Sequence, residues 1–214
     1  MYALTRRVPV LLLLVYVATG CSSMGSSSTA CPCPTPAARK QAPELGPERL
    51  MLSEGYSLLY RDASSLDLSG LILYAKSEST KVHEVVSAVA EFGGELKAEL
   101  ERIDRDYPGV RVDLDALPEM EKRKRWAIGE DRARYFAPAV GHGGREYERT
   151  VLIGLLNGIN HERHMCEVMA EVEPDAGLKK FLIDTQTRYD RLHDRIEALL
   201  EAEYFRDPDG KTAN

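Results

Sequence analysis

From Pro47 onward, apolar residues recur at three- and four-residue steps almost without interruption, the spacing of helices with one buried face. "LSEGYSLLYRDASSLDLSGLILYA" sets Leu52, Tyr56, Leu59, Ala63, Leu66, Gly70 and Leu73 on one face. "SESTKVHEVVSAVAEFGGELKAELERI" does the same with Val82, Val85, Val86, Val89, Phe92, Leu96, Leu100 and Ile103. Ser79 or Thr80 stands where an N-cap is needed. Pro108 and Gly109 end this second helix, because neither continues a helix easily. A shorter amphipathic helix is expected over about Pro118 to Phe136, with "APAVGHGG" as a loop after it. A third long helix is expected from about Arg145 to Val172 and, past a turn at Pro174, a fourth from about Leu178 to Tyr204. The fourth carries the line Leu178, Phe181, Leu182, Thr185, Tyr189, Leu192, Ile196 and Leu199. No β-type alternation of convincing length competes with this pattern.

The pattern predicts an all-α fold: an antiparallel four-helix bundle with a short extra helix between the second and third long helices. The domain should span residues 47–206, with 207–214 as a disordered tail.

The candidate chemistry lies in the third long helix, in "LLNGINHERHMCEVMAE". Its apolar centre is set by Val151, Leu155, Ile159, Cys166 and Met169, and Glu162 falls on the same line. A carboxylate there needs a partner, a proton or a metal, because ionisation in isolation is penalised. Arg188, Tyr189 and His193 of the fourth helix are the expected partners. His161 and His193 should lie at the core edge and His164 should face solvent. Gly154 and Gly158, four apart, are expected to allow close helix approach. The Glu-x-x-His spacing that gives di-iron bundles two ligands on one face is absent; the chain offers His-x-x-His at His161 and an aspartate version at Asp190 to His193.

The N-terminus belongs to a different kind of segment. Arg6 and Arg7 precede an apolar run from Val8 to Val17, and small residues follow. This is the order of an export signal, and the run is shorter than the roughly 20 residues of a comfortable membrane span. Ala18-Thr19-Gly20-Cys21 resembles a bacterial lipobox, which implies removal of residues 1–20 and a lipid on Cys21. Ala18 stands where Leu is usual, so cleavage by the ordinary signal peptidase is the alternative. Residues 21–46 are rich in Ser, Pro, Ala and Gly and read as a disordered tether. Cys31 and Cys33 lie in it without the helix N-terminus that would activate a thiol. Ser22 after the cysteine points to the outer membrane, on its periplasmic face.

"DLSGLILYAKSESTKVHEVVSAVAEFGGELKAEL", a spacer helix, "REYERTVLIGLLNGINHERHMCEV" and "DAGLKKFLIDTQTRYDRLHDRIEALL" in that order resemble the ferritin-like domain of unknown function of exported bacterial proteins. The resemblance covers about Ser57 to Leu200. It implies an acidic residue in the first helix and a His in each of the others. Asp67 would match the first, His161 (or His164) the third and His193 the fourth. The second helix departs, with Gly93-Gly94 near the expected His.

Charge narrows the function classes. The chain carries 28 basic and 34 acidic side chains, net −6. Removing residues 1–20 would leave 26 basic against 34 acidic, a balance of −8. That disfavours nucleic acid and charge-driven docking on anionic lipid, so lipid is the expected attachment. The basic "EKRKRWAIGEDRAR", holding Trp126, reads as a solvated or partner-facing surface. No Gly-x-Ser-x-Gly elbow, His-Glu-x-x-His or strand-led phosphate loop is present. The expectation is a lipid-anchored envelope protein with a structural or interaction role towards another envelope component, without turnover or a required cofactor. The competing expectation is a bundle holding a transition metal or protecting against oxidation through Asp67, His161, Glu162 and His193.

Overall fold

The structure is a computed structural model, and it describes residues 45–70, 79–135 and 144–205. Cys21, Cys31, Cys33, most of the tether, the loop with His142 and the C-terminal tail lie outside the described residues.

The described residues are all-α: α1 (Pro47–Asp67), α2 (Thr80–Asp106), α3 (Glu119–Tyr135), α4 (Gly144–Val172) and α5 (Ala176–Leu200). A π-helical turn, Glu201–Phe205, extends α5. Several boundaries have a local cause. Pro47 opens α1, where its missing N–H is not needed. Ser79 caps α2 by accepting from the Val82 N–H at 3.4 Å. Pro174 follows α4 closely, and Asp175 caps α5 by accepting from the N–H groups of Gly177 and Leu178. The first helix ends at Asp67, earlier than the apolar pattern suggested, in a short 3₁₀ turn over 68–70.

All eight positions expected to face inward on α2 are buried, as are Leu52, Tyr56, Leu59, Ala63 and Leu66 on α1. Each such aliphatic side chain stabilises the fold by about 1.5–3 kcal/mol on full burial. On α5, Leu178, Leu182, Thr185, Tyr189 and Ile196 are buried, while Phe181, Leu192 and Leu199 are partly so.

Side-chain contacts fix the neighbours. Gly93 of α2 abuts Leu66 and Asp67 of α1, and further along the Tyr60 hydroxyl donates to Glu101 at 2.9 Å, so α1 and α2 run opposite ways. α4 meets α1 through Met169 against Gly55, and α5 through Arg163 and Asp190 at 3.3 Å. α5 meets α2 where Tyr189 and Phe92 pack edge to face, ring centres 4.8 Å apart. The segment after α2 is laid along α1. Ser53 donates to the Gly109 carbonyl at 3.2 Å, Ser57 accepts from the Leu114 N–H at 3.1 Å, and Val110 and Val112 are buried.

α3 differs from its expected character. It has no apolar stripe; Met120, Trp126 and Ile128 are exposed, and Glu119–Arg123 and Glu121–Arg125 pair along its own surface. A helix polar on all sides gains little by packing. Its ties elsewhere include Lys122 to Asp115 and Arg125 to Asp62 at 3.3 Å.

Candidate functional site: three buried glutamates on one helix

α4 buries Val151, Leu155, Ile159, Cys166 and Met169, and with them three glutamates: Glu148, Glu162 and Glu173, the last just past its end. Spacings of fourteen and eleven residues fall close to four and three turns, so all three face inward. Their partners differ.

Glu148 accepts from the Ser79 N–H and from the Tyr204 hydroxyl, each at 2.5 Å. The carboxylate thus sits against the N-terminus of α2, where the helix dipole favours negative charge. Burial, and then the bond to Glu148, push the Tyr204 phenol up, so it stays a donor. Glu173 accepts from Arg49 at 2.9 Å, from the Tyr56 hydroxyl at 3.0 Å and from the Asp175 N–H at 3.1 Å. Burial first, and then the Glu173 charge, hold the Tyr56 proton in place.

Glu162 is the exception. Its neighbour is another acid, Asp62 of α1, which also meets Arg125 of α3. Burial, then the charge of Asp62, then the hydrogen bond between the two carboxyls push Glu162 up to about 9, with Arg125 acting in the opposite sense. Burial beside a second acid thus favours the protonated form of Glu162 well above the usual carboxylate range. Its Oε2 has no hydrogen-bond partner among the described residues, and neither has the hydroxyl of Tyr189. Tyr189 is raised by burial and then by the charges of Glu162, Cys166 and Asp62, which places all four in one layer. Cys166, a free buried thiol, is pushed up by burial and then by Glu162, so it is held as the unreactive thiol.

The inward phase of Glu162 was legible; its partner was not. Of the three expected partners on α5, Tyr189 lies in the same layer with its hydroxyl unpartnered among the described residues, while Arg188 and His193 face other groups. Arg188 pairs with Glu95 and Glu99 and lies over the Phe92 ring, 4.5 Å from its centre. His193, half-buried at the core edge, lies 3.8 Å from Asp194 and 3.9 Å from Glu197. His164 is exposed as expected and contacts Glu167 at 2.8 Å. His161 is exposed rather than at the core edge, because it sits 100° round the helix from Glu162. Asp67 is exposed, 3.9 Å from Lys97. Asp67, His161, Glu162 and His193 are thus not brought together. Among the described residues, the group of three metal-ligand side chains that does converge is His193, Asp194 and Glu197, with ligand atoms within 4.8 Å of one another. Gly154 and Gly158 face open space and mark no helix contact, whereas Gly93 does. Glu148 and Glu173 were missed, although each lies a heptad or a turn from a core position already assigned, seven before Leu155 and four after Met169.

The acid pair makes stability depend on pH. Glu162 has a folded pKa raised from 4.5 to about 9. Between those values the unfolded chain has lost the proton and the folded chain keeps it, so stability falls as pH rises through the window. Glutamine does not titrate. In EDTA-containing buffer, Glu162→Gln should match the parent near pH 5. It should exceed it at pH 8 by on the order of 4 kcal/mol, since about three pH units of the window are crossed at about 1.36 kcal/mol each. Urea denaturation at both pH values measures this; a parent-to-variant gap that stays flat would show that Glu162 is not held protonated.

Comparison with family models, curated proteins and solved structures finds no match.

Proposed function

We propose that this chain is a lipid-anchored protein of the cell envelope. Its four long helices would form a ferritin-like antiparallel bundle with a structural or interaction role and no turnover. The observation that carries the reading is the N-terminal order: Arg6-Arg7, the apolar run Val8–Val17, then Ala18-Thr19-Gly20-Cys21 and a Ser- and Pro-rich stretch. Lipid on Cys21 holds the chain by burying methylenes, at about 0.8 kcal/mol each. The antiparallel contacts of α1 with α2 and of α4 with α1 and α5 support the bundle. Two of the three buried glutamates are spent on joining helices, as a structural role requires. On this reading the protein sits on the periplasmic face, at the outer membrane, and its partner is another envelope component.

Replacing Cys21 with Ser and fractionating cells tests the anchor. The variant should lose the lipid mass and either leave the membrane fraction or stay unprocessed. A Cys21→Ser protein that matures and remains membrane-bound like the parent would sink the proposal.

A further inference from the structure

The three buried glutamates, two in α4 and one just past its end, pose a question of chemistry. Glu148 and Glu173 each meet donors. Glu162 meets an acid, and two oxygens of its layer, its own Oε2 and the Tyr189 hydroxyl, are left without hydrogen-bond partners among the described residues. Glu162 is 7 % exposed and Tyr189 is fully buried, so water at the surface does not serve them. A buried polar atom without a partner costs about 1–3 kcal/mol, and two share this layer.

We propose that Asp62 and Glu162, with the Tyr189 hydroxyl beside them, form a binding site for a hard divalent cation between α1, α4 and α5. The donors are oxygens, which suit Mn2+, Mg2+ or Ca2+ better than the softer metals that favour thiolate and imidazole. Two carboxylates neutralise a divalent charge, which removes the conflict between buried Glu162 and the like group beside it. The cation bridges the two acids and gives Glu162 Oε2 a partner. Arg125 of α3, 3.3 Å from Asp62, acts as the positioning residue and holds that carboxylate. The site is distinct from the His193, Asp194 and Glu197 cluster, which lies on the outer side of α5 with both carboxylates exposed. It is also independent of the anchor.

Mn2+ titrated into the purified full-length protein near neutral pH, and followed by loss of the free-ion EPR signal, is the test. The parent should take up about one ion per chain and unfold at a higher temperature with Mn2+ than with EDTA. Glu162→Gln should weaken uptake more than about a hundredfold, beyond the cost of losing an outer-shell partner. It should also abolish the thermal shift while its helical CD signal is retained. Asp62→Asn should behave alike and serves if the first variant does not fold. Tyr189→Phe should weaken uptake by about tenfold. Glu197→Ala should leave uptake unchanged. The proposal is overturned if the parent binds no Mn2+ at millimolar concentration or if folded Glu162→Gln and Asp62→Asn bind like the parent. It is equally overturned if uptake disappears in Glu197→Ala instead.

Discussion

Gly93→Ala should destabilise the protein by about 2–3 kcal/mol, although alanine is the better helix former. A Cβ at Gly93 would stand 2.5 Å from the Asp67 backbone nitrogen, 2.7 Å from Leu66 Cβ and 2.8 Å from the Leu66 carbonyl carbon. Two of these atoms are backbone and belong to the last turn of α1, so relief means moving a helix. The gain in helix propensity, about 1 kcal/mol, does not offset that. Neighbouring glycines supply the controls. At Gly94 the nearest atom is the Asp67 carboxylate oxygen at 3.2 Å, the end of a side chain that can swing away. At Gly158 nothing lies within 4 Å, so Gly158→Ala should stabilise by about 1 kcal/mol. Opposite signs at Gly93 and Gly158 in urea denaturation are the expected result. A Gly93→Ala protein as stable as the parent would mean that α1 and α2 do not approach here as described.

Glu173→Ala should cost about 3 kcal/mol, at the low end for breaking a buried charged pair because Arg49 keeps some access to water. The loss strands the Tyr56 hydroxyl, which is fully buried, and removes the acceptor for the Asp175 N–H at the start of α5. Glu173→Gln keeps an acceptor oxygen and should cost clearly less. Combining Glu173→Ala with Tyr56→Phe should give less than the sum of the two, by about 1 kcal/mol, because the second change removes the orphan left by the first. Strict additivity would show that Tyr56 and Glu173 do not meet.

How much of this could be read from the chain depended on where the determining contacts lie. The inward stripe of α2 followed from period alone, since Val82 through Ile103 repeat without a break and all face one way. The Ser79 cap is a contact over three residues and was equally legible. The phase of α4 placed Glu162 inside, but its partner Asp62 lies one hundred residues away on another helix, and no local pattern marks it. Asp62 also reads as an ordinary surface charge, flanked as it is by Arg61. The glycine pairs show the same limit. Gly154 and Gly158 have the spacing of a helix contact and face open space, whereas Gly93 makes one without such a signal. α3 was over-read as amphipathic because its few apolar residues, Met120, Trp126 and Ile128, suggested a face that their spacing does not form.

The buried acids of α4 also bear on which alignments of the helices are forbidden. An apolar stripe alone tolerates sliding by a heptad, since leucine then meets the place of another leucine. The glutamates do not tolerate it. Their separations of fourteen and eleven residues are unequal, so a shift that returned one carboxylate to donors would strand the others. Glu148 needs the amide end of α2, and Glu173 needs Arg49 and Tyr56 near the start of α1. The acids work as a vernier. They add little attraction to the native alignment, but they raise the energy of every slipped one, and so mark a single register among several that greasy surfaces would accept.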